Sequence, residues 1–213
     1  MNRGNRGLLI TFEGIDGCGK STQLMRAQEA LVREKVPCIV SREPGGTAIG
    51  EKIRGILLSP QHAEMCNACE LLLYMAARAQ HVQEKILPAM DGGAVVLCDR
   101  FAEATFAYQG AGRGLPLDVL EKINNFATAS LRPSFAFVFD LPVEAAAERL
   151  RKTGKAVDRL EGSGREFYER VRKGYLALAK RFPHRIMVLP GQGPVEELSG
   201  RVCEKILELY GQL

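Results

Sequence analysis

The sequence predicts an α/β fold of three layers, in which a five-stranded parallel sheet is covered by helices on both faces. Three observations carry this. Five short runs, at 8–13 (LLITFE), 37–41 (PCIVS), 94–99 (AVVLCD), 135–140 (FAFVFD) and 185–190 (RIMVLP), are almost continuously apolar, as strands buried on both faces are. Longer stretches with apolar residues at helical spacing separate them, at about 20–35, 65–87, 117–130, 143–152, 165–182 and 194–210. Strand and helix therefore alternate, which calls for parallel neighbours joined by right-handed crossovers. Third, 213 residues with 46% apolar and 25% charged side chains suit one domain around one core, spanning 1–213.

Bulk properties narrow the partners. A net charge of +4 is compatible with a small anionic ligand, and is too slight to argue for nucleic acid without a basic stripe or reader motif. No apolar run reaches bilayer length and the N-terminus has no signal-peptide core, so no membrane partner and a cytoplasmic location are expected. The six cysteines are then expected as thiols. Cys66 and Cys69 have metal-ligand spacing but no second pair, and Cys18, Cys38, Cys98 and Cys203 read as small core or loop residues. The first six residues, MNRGNR, read as a frayed tail.

Ligands of such sheets bind outside the carboxyl ends of the strands, so the segments that follow each strand are read in order. The first strand runs into GIDGCGKST, residues 14–22, which matches G-x-x-x-x-G-K-[ST] at Gly14, Gly19, Lys20 and Ser21 and opens a helix. Glycines let successive backbone N–H groups converge on a phosphate, so Gly14, Ile15, Asp16, Gly17, Cys18, Gly19, Lys20, Ser21 and Thr22 are expected around a nucleotide's phosphates. Lys20 would reach the β- and γ-phosphates and the Ser21 hydroxyl would bind Mg²⁺. Such a loop leaves the phosphoryl acceptor open. A guanine-reading N-K-x-D stretch does not occur in the chain, and ELSG near residue 200 lacks the rest of a transporter-ATPase signature. A kinase of a small acceptor is the reading that survives.

The second strand is followed by SREPGGTAIGEKIR (41–54) and the third by DRFAEATFAYQGAGRG (99–114), while the helix at 65–87 carries LLLYMAARAQHV (71–82). Together with TFEGIDGCGKST and the DRLE of 158–161, these five motifs resemble the thymidylate kinase family over about residues 8–182. The resemblance implies a P-loop fold, ATP as phosphoryl donor, dTMP as acceptor, Mg²⁺ and a homodimer through the helices at 65–87 and 117–130. It implies that Arg54 and Arg100 bind the acceptor phosphate, a task for which bidentate guanidinium is suited. Tyr74 would lie against the base, with Arg78, one helical turn on, reaching the pyrimidine edge. Thr105 and Gln109 would contact the base, Tyr108 would pack beneath the deoxyribose, and Asp16 would accept from the 3′-hydroxyl, with Glu43 and Pro44 shaping the wall. Asp99 would act at Mg²⁺ through water, whereas Asp140 reads as structural. Ala104 stands where relatives commonly have serine, removing a possible hydrogen bond.

Between the helices at 143–152 and 165–182 lies RKTGKAVDRLEGSGR (151–165), five cations and three glycines with little apolar surface. It reads as a short basic lid with glycine hinges. Gly17 stands where the family's other form carries an arginine, so closure is expected to bring a catalytic cation, Arg151, Lys152 or Arg159, onto the transferred phosphate while excluding water. Arg149 resembles the residue that covers the adenine ring, beside Gly191 to Pro194. Two rivals stand against this reading: another P-loop nucleoside monophosphate kinase, and a nucleotide-dependent switch protein that transfers no phosphate.

Overall fold

The structure is a computed structural model that describes residues 6–154 and 158–213. Residues 1–5 of the expected tail and Lys155 to Val157 of the expected lid lie outside the described residues. Five strands, β1 (Leu9–Glu13), β2 (Cys38–Arg42), β3 (Val95–Asp99), β4 (Phe135–Asp140) and β5 (Ile186–Pro190), form one all-parallel sheet in the order β2-β3-β1-β4-β5. The expected fold class is what forms.

Alternation along β1 sends neighbouring side chains to opposite faces. Leu9 packs with Val96, Cys98, Val82, Ile86 and Met90 in one cluster, whereas Ile10 and Phe12 join Leu97, Leu24 and Leu31 in another. Both faces of the sheet are thus covered, and fully buried rings such as Phe12, Phe137 and Phe139 each contribute about 1.5–3 kcal/mol of transfer free energy.

The helices are α1 (Lys20–Arg33), α2 (Ala48–Leu58), α3 (Asn67–His81), α4 (Leu87–Asp91), α5 (Ala102–Thr105), α6 (Leu117–Thr128), α7 (Val143–Lys152), α8 (Arg165–Arg181) and α9 (Val195–Tyr210). Three of them correct the sequence reading, the first being α2, which lies in a stretch read only as a motif. The helix expected to stop at 87 continues through a π-helical segment, Val82–Ile86, into α4, and the wider winding falls directly before Pro88, where a regular α-helix would call for the N–H that proline lacks. The stretch after β3, read only as a motif, is helical: α5 leads into a second π-helical segment, Phe106–Gly112.

From β1 the chain crosses over β3 to β2, and from β3 it crosses back over β1 to β4. The loops leaving β1 and β3 therefore diverge, and a crevice opens between Gly14 and Arg100 at the carboxyl edge.

Candidate active site

The phosphate-type loop occupies Gly14–Gly19 at that crevice. Gly14, Gly17 and Gly19 have φ of +130°, +80° and +101°, backbone that L side chains rarely adopt. Helix α1 begins with no side-chain cap and no acid in its first turn, so its N–H groups and the positive end of its dipole are open to an anion. The buried Lys20 Nζ donates to the carbonyls of Gly14 (3.1 Å) and Ile15 (3.0 Å). The Ser21 hydroxyl donates to Asp99 Oδ2 at 3.2 Å, joining the start of α1 to the end of β3. The Ile15 side chain turns into the core, while Cys18, Gly19, Lys20, Ser21 and Thr22 line an open cleft. Arg149 of α7 borders the same cleft, with Nη1 3.5 Å from the Gly17 carbonyl.

A second, smaller cleft adjoins it. Pro44, Arg54 of α2, Tyr74 and Arg78 of α3, Ala104 and Thr105 of α5, and Tyr108 and Gln109 of the π-helical segment converge on it. Asp16, Glu43, Arg54 and Arg100 border both clefts, so two arginines stand at the junction. Arg54 Nη1 donates to the Pro44 carbonyl at 2.9 Å. Arg100 donates to Asp16 Oδ1 (2.7 Å), the Gly14 carbonyl (2.8 Å) and the Tyr175 hydroxyl (3.2 Å), and its guanidinium lies 4.9 Å over the Tyr108 ring. Burial works against the Arg100 charge, but Asp16 and the surrounding hydroxyls hold its pKa well above the ordinary value. Its backbone has φ +72°, a left-handed conformation that the next peptide helps to hold: Phe101 N–H donates to Glu13 Oε1 at 2.8 Å. Tyr108 sits among Phe167, Tyr168 and Tyr175 at edge-on angles, with its hydroxyl 3.4 Å from Asp16 Oδ2.

Arg78 is not a solvated rim residue. Only 2% exposed, it gives Nε to Glu43 Oε2 (2.7 Å), Nη1 to Thr105 Oγ1 (2.7 Å) and Asn124 Oδ1 (2.9 Å), and Nη2 to the Phe101 carbonyl (2.8 Å). Four of its five N–H groups are committed, which leaves one on Nη2. The other oxygen of Glu43 faces His81 Nδ1 at 3.0 Å, and His81 Nε2 lies 2.6 Å from Ser41 Oγ. This Ser–His–acid chain has the connectivity of a hydrolase triad, but all three members are buried and the acid is shared with Arg78, so it braces Arg78 through Glu43.

The sequence model of the family described as thymidylate kinase matches residues 12–202. The chain belongs to the thymidylate kinase family. A thymidylate kinase of Pelotomaculum thermopropionicum is 49% identical over 184 residues, 86% of this chain and 85% of that one. One from a Geobacter species is 47% identical over 206 residues, 94% of this chain and 91% of the other. Among solved structures, the crystal structure of thymidylate kinase from Ehrlichia chaffeensis superposes with a TM-score of 0.75 at 30% identity, covering 94% of this chain and 98% of that chain.

Within the thymidylate kinase frame, the segment expected as a lid divides. Arg151 and Lys152 end α7 in solvent, with Lys152 paired to Glu148 at 2.8 Å. Arg159 is not brought to the phosphate loop: its side chain is 7% exposed, Nη2 lies 2.7 Å from Glu70 Oε2, and Nε donates to the Leu57 carbonyl at 2.7 Å. The reason is a buried carboxylate. Glu70, in the first turn of α3, also accepts from Gln109 and Arg113, and a charge so enclosed requires opposite charge beside it. Asp140 is held by Arg172 through two hydrogen bonds of 2.6 and 2.9 Å. Sequence reading missed Glu70, His81, Asn124, Glu13 and Tyr175. The first two sat inside the quoted or adjoining α3 pattern, where a charged or imidazole side chain one or two turns from Tyr74 and Arg78 was the available signal. No group of three or more His, Cys, Asp or Glu able to hold a metal occurs among the described residues, and Cys66 and Cys69 are exposed thiols.

Proposed function

We infer that the chain transfers the γ-phosphoryl group of ATP to dTMP, giving dTDP and ADP. The observation that carries this reading is the pair of clefts that meet at Arg54, Arg100 and Asp16, one floored by the phosphate loop and the other walled by Tyr74 and Arg78. ATP is proposed to lie with its phosphates at the N-terminus of α1, cradled by loop N–H groups and Lys20, with Arg149 beside the adenine. The dTMP is proposed to enter the smaller cleft, base against Tyr74, with Thr105, Gln109 and the remaining N–H of Arg78 at its polar edge. Tyr108 would support the sugar, with Asp16 at its 3′-hydroxyl.

Arg54 and Arg100 are proposed to hold the acceptor phosphate in line with the γ-phosphorus. An oxygen of that phosphate attacks, the bond to the β–γ bridging oxygen breaks, and the bridging oxygen leaves with ADP. A phosphate monoester has its second pKa near ~6, so the attacking oxygen needs no general base and the protein's contribution is position and charge. The neighbouring oxygens of Ser21 and Asp99 are hard donors that fit Mg²⁺, an ion that keeps waters and phosphate oxygens in its shell. When bound, it would neutralise charge on the β- and γ-phosphates. Arg149 and Arg151, on the last turns of α7, are the proposed cations on the donor side; the chain is proposed to work as one domain with 151–165 as its lid.

We also propose a homodimer through α3 and α6, supported by Phe126 at 89% and Leu72 at 57% exposure on those helices. No helix among the described residues is long and apolar enough to cross a membrane, and a cytoplasmic location is proposed. ADP formation measured across a panel of monophosphates tests the reading. Stimulation by dTMP above the other acceptors is expected; ATP turnover indifferent to dTMP would overturn it.

A further inference from the structure

We propose that Glu70 is a positioning residue that latches the arm 158–163 over the acceptor cleft and fixes the orientation of Gln109 within it. The proposal rests on the acceptor reading of that cleft. Glu70 is 1% exposed, and three side chains from two other parts of the chain share its two oxygens. Oε1 accepts from Gln109 Nε2 (2.9 Å) and Arg113 Nε (3.3 Å). Oε2 accepts from Arg113 Nη2 (3.1 Å) and faces Arg159 Nη2 at 2.7 Å. Burial alone would raise its pKa, but the hydrogen bonds from Arg113 and Gln109 hold the carboxyl below the usual range, so it is charged at neutral pH.

Each of these contacts has a consequence for the cleft. Arg159 is pinned at three points: to Glu70, to the Leu57 carbonyl, and through its backbone N–H to the Leu58 carbonyl at 3.1 Å. Its neighbours Asp158 and Leu160 both line the acceptor cleft, so the pinned arm is a wall of that cleft. Ionised carboxylates only accept hydrogen bonds, so Gln109 must present its NH₂ to Glu70 and turn its carbonyl the other way. The latch thereby orients one of the polar groups that line the cleft. Glu161 of the arm also borders the phosphate-loop cleft, but Glu70, Gln109 and Arg159 line neither that cleft nor the loop, so the main effect falls on acceptor binding rather than on transfer.

Glu70→Gln keeps the shape but sets an NH₂ or a neutral oxygen against two guanidinium groups. Steady-state kinetics of the full chain, with dTMP and ATP each varied, are compared for wild type, Glu70→Gln and Arg159→Gln. Both variants are expected to raise the KM for dTMP about tenfold or more, the scale of one lost charge-assisted hydrogen bond, with kcat at saturating dTMP within about threefold and the KM for ATP within about twofold. The Arg159 amide should exchange its hydrogen about tenfold faster in Glu70→Gln than in wild type. An unchanged dTMP KM in Glu70→Gln overturns the latch. So does an Arg159→Gln enzyme that loses kcat by orders of magnitude with its dTMP KM intact, because Arg159 then acts on the transferred phosphate. Should Glu70→Gln fail to fold, Arg159→Gln decides alone, since Glu70 there keeps Arg113 and Gln109. A wild type without dTMP-dependent ADP formation refutes the proposed function instead, and the exchange comparison still reads the latch.

Discussion

Gly17→Ala adds one methyl group to the phosphate loop, and two separate costs follow from where it lands. The residue has φ +80°, and a β-carbon in left-handed backbone costs about 1–2 kcal/mol. The methyl would also lie 2.6 Å from the Ala146 carbonyl oxygen and 3.1 Å from Leu150 Cγ. That oxygen belongs to the backbone of α7, whose Val143 and Ala146 are packed in the main core, so no flexible side chain can absorb the clash. Either the loop or the helix must move, at about 1–3 kcal/mol. Together these give about 2–5 kcal/mol, and for a domain of this size roughly 2–4 °C of Tm accompanies each kcal/mol. Thermal unfolding followed by circular dichroism should show Tm lower by roughly 4–20 °C. Displacement of the loop should raise the KM for ATP more than that for dTMP. A Tm within about 2 °C of wild type, together with an unchanged ATP KM, would refute the packing argument. An arginine at this position would carry the same β-carbon, so the cation that Gly17 leaves out of the loop cannot be restored there unless α7 withdraws.

Ala104→Ser places a hydroxyl in the acceptor cleft and should lower the KM for dTMP by about 2–10-fold, the yield of one hydrogen bond; an unchanged value would show that the base passes out of its reach. Arg78→Lys keeps the charge but, with three donors, cannot serve Glu43, Thr105, Asn124 and the Phe101 carbonyl at once, and should cost about 1–3 kcal/mol in denaturant unfolding, as at least one buried acceptor is left unsatisfied. A loss below about 1 kcal/mol would mean that the bracing is dispensable. Glu13 is raised from 4.5 to about 8 by burial first and by the Glu103 charge second, so the folded chain keeps a proton that the unfolded chain releases near pH 4.5. Its contribution is full below that pH and is lost as pH rises through about 8. Glu13→Gln should therefore gain Tm relative to wild type across that window, and parallel profiles would exclude the titration.

Five strands were legible to within one residue at each end, because a run buried on both faces is a local pattern. Helix α2 was not, although Thr47 caps it and Ile49, Ile53, Ile56 and Leu57 keep helical spacing. Only Gly50 and Leu57 of it are buried, so those apolar positions do not define a core face. Residues 106–112 escaped for another reason: π-helical winding departs from the 3.6-residue period by which helices are read, and Tyr108 and Gln109 face a cleft.

The phosphate loop was readable because its parts are contiguous and its glycines state the backbone they need. Arg159 shows the opposite condition. Set among glycines and other cations it reads as solvated, and nothing local relates it to Glu70 on a distant helix. Yet three of the four buried acids among the described residues recruit arginine from afar: Glu70 takes Arg113 and Arg159, Glu103 takes Arg185, and Glu43 takes Arg78, while Glu13 keeps a proton instead. An enclosed carboxylate carries a desolvation cost that a neighbouring guanidinium offsets, so buried acids help to determine which arginines leave solvent. Glu70, standing directly before LLLY, was such an acid, and the arginine closest in space came from the segment whose charge density had suggested exposure. The destination of a basic run therefore depends on how many buried acids the rest of the chain leaves to be matched.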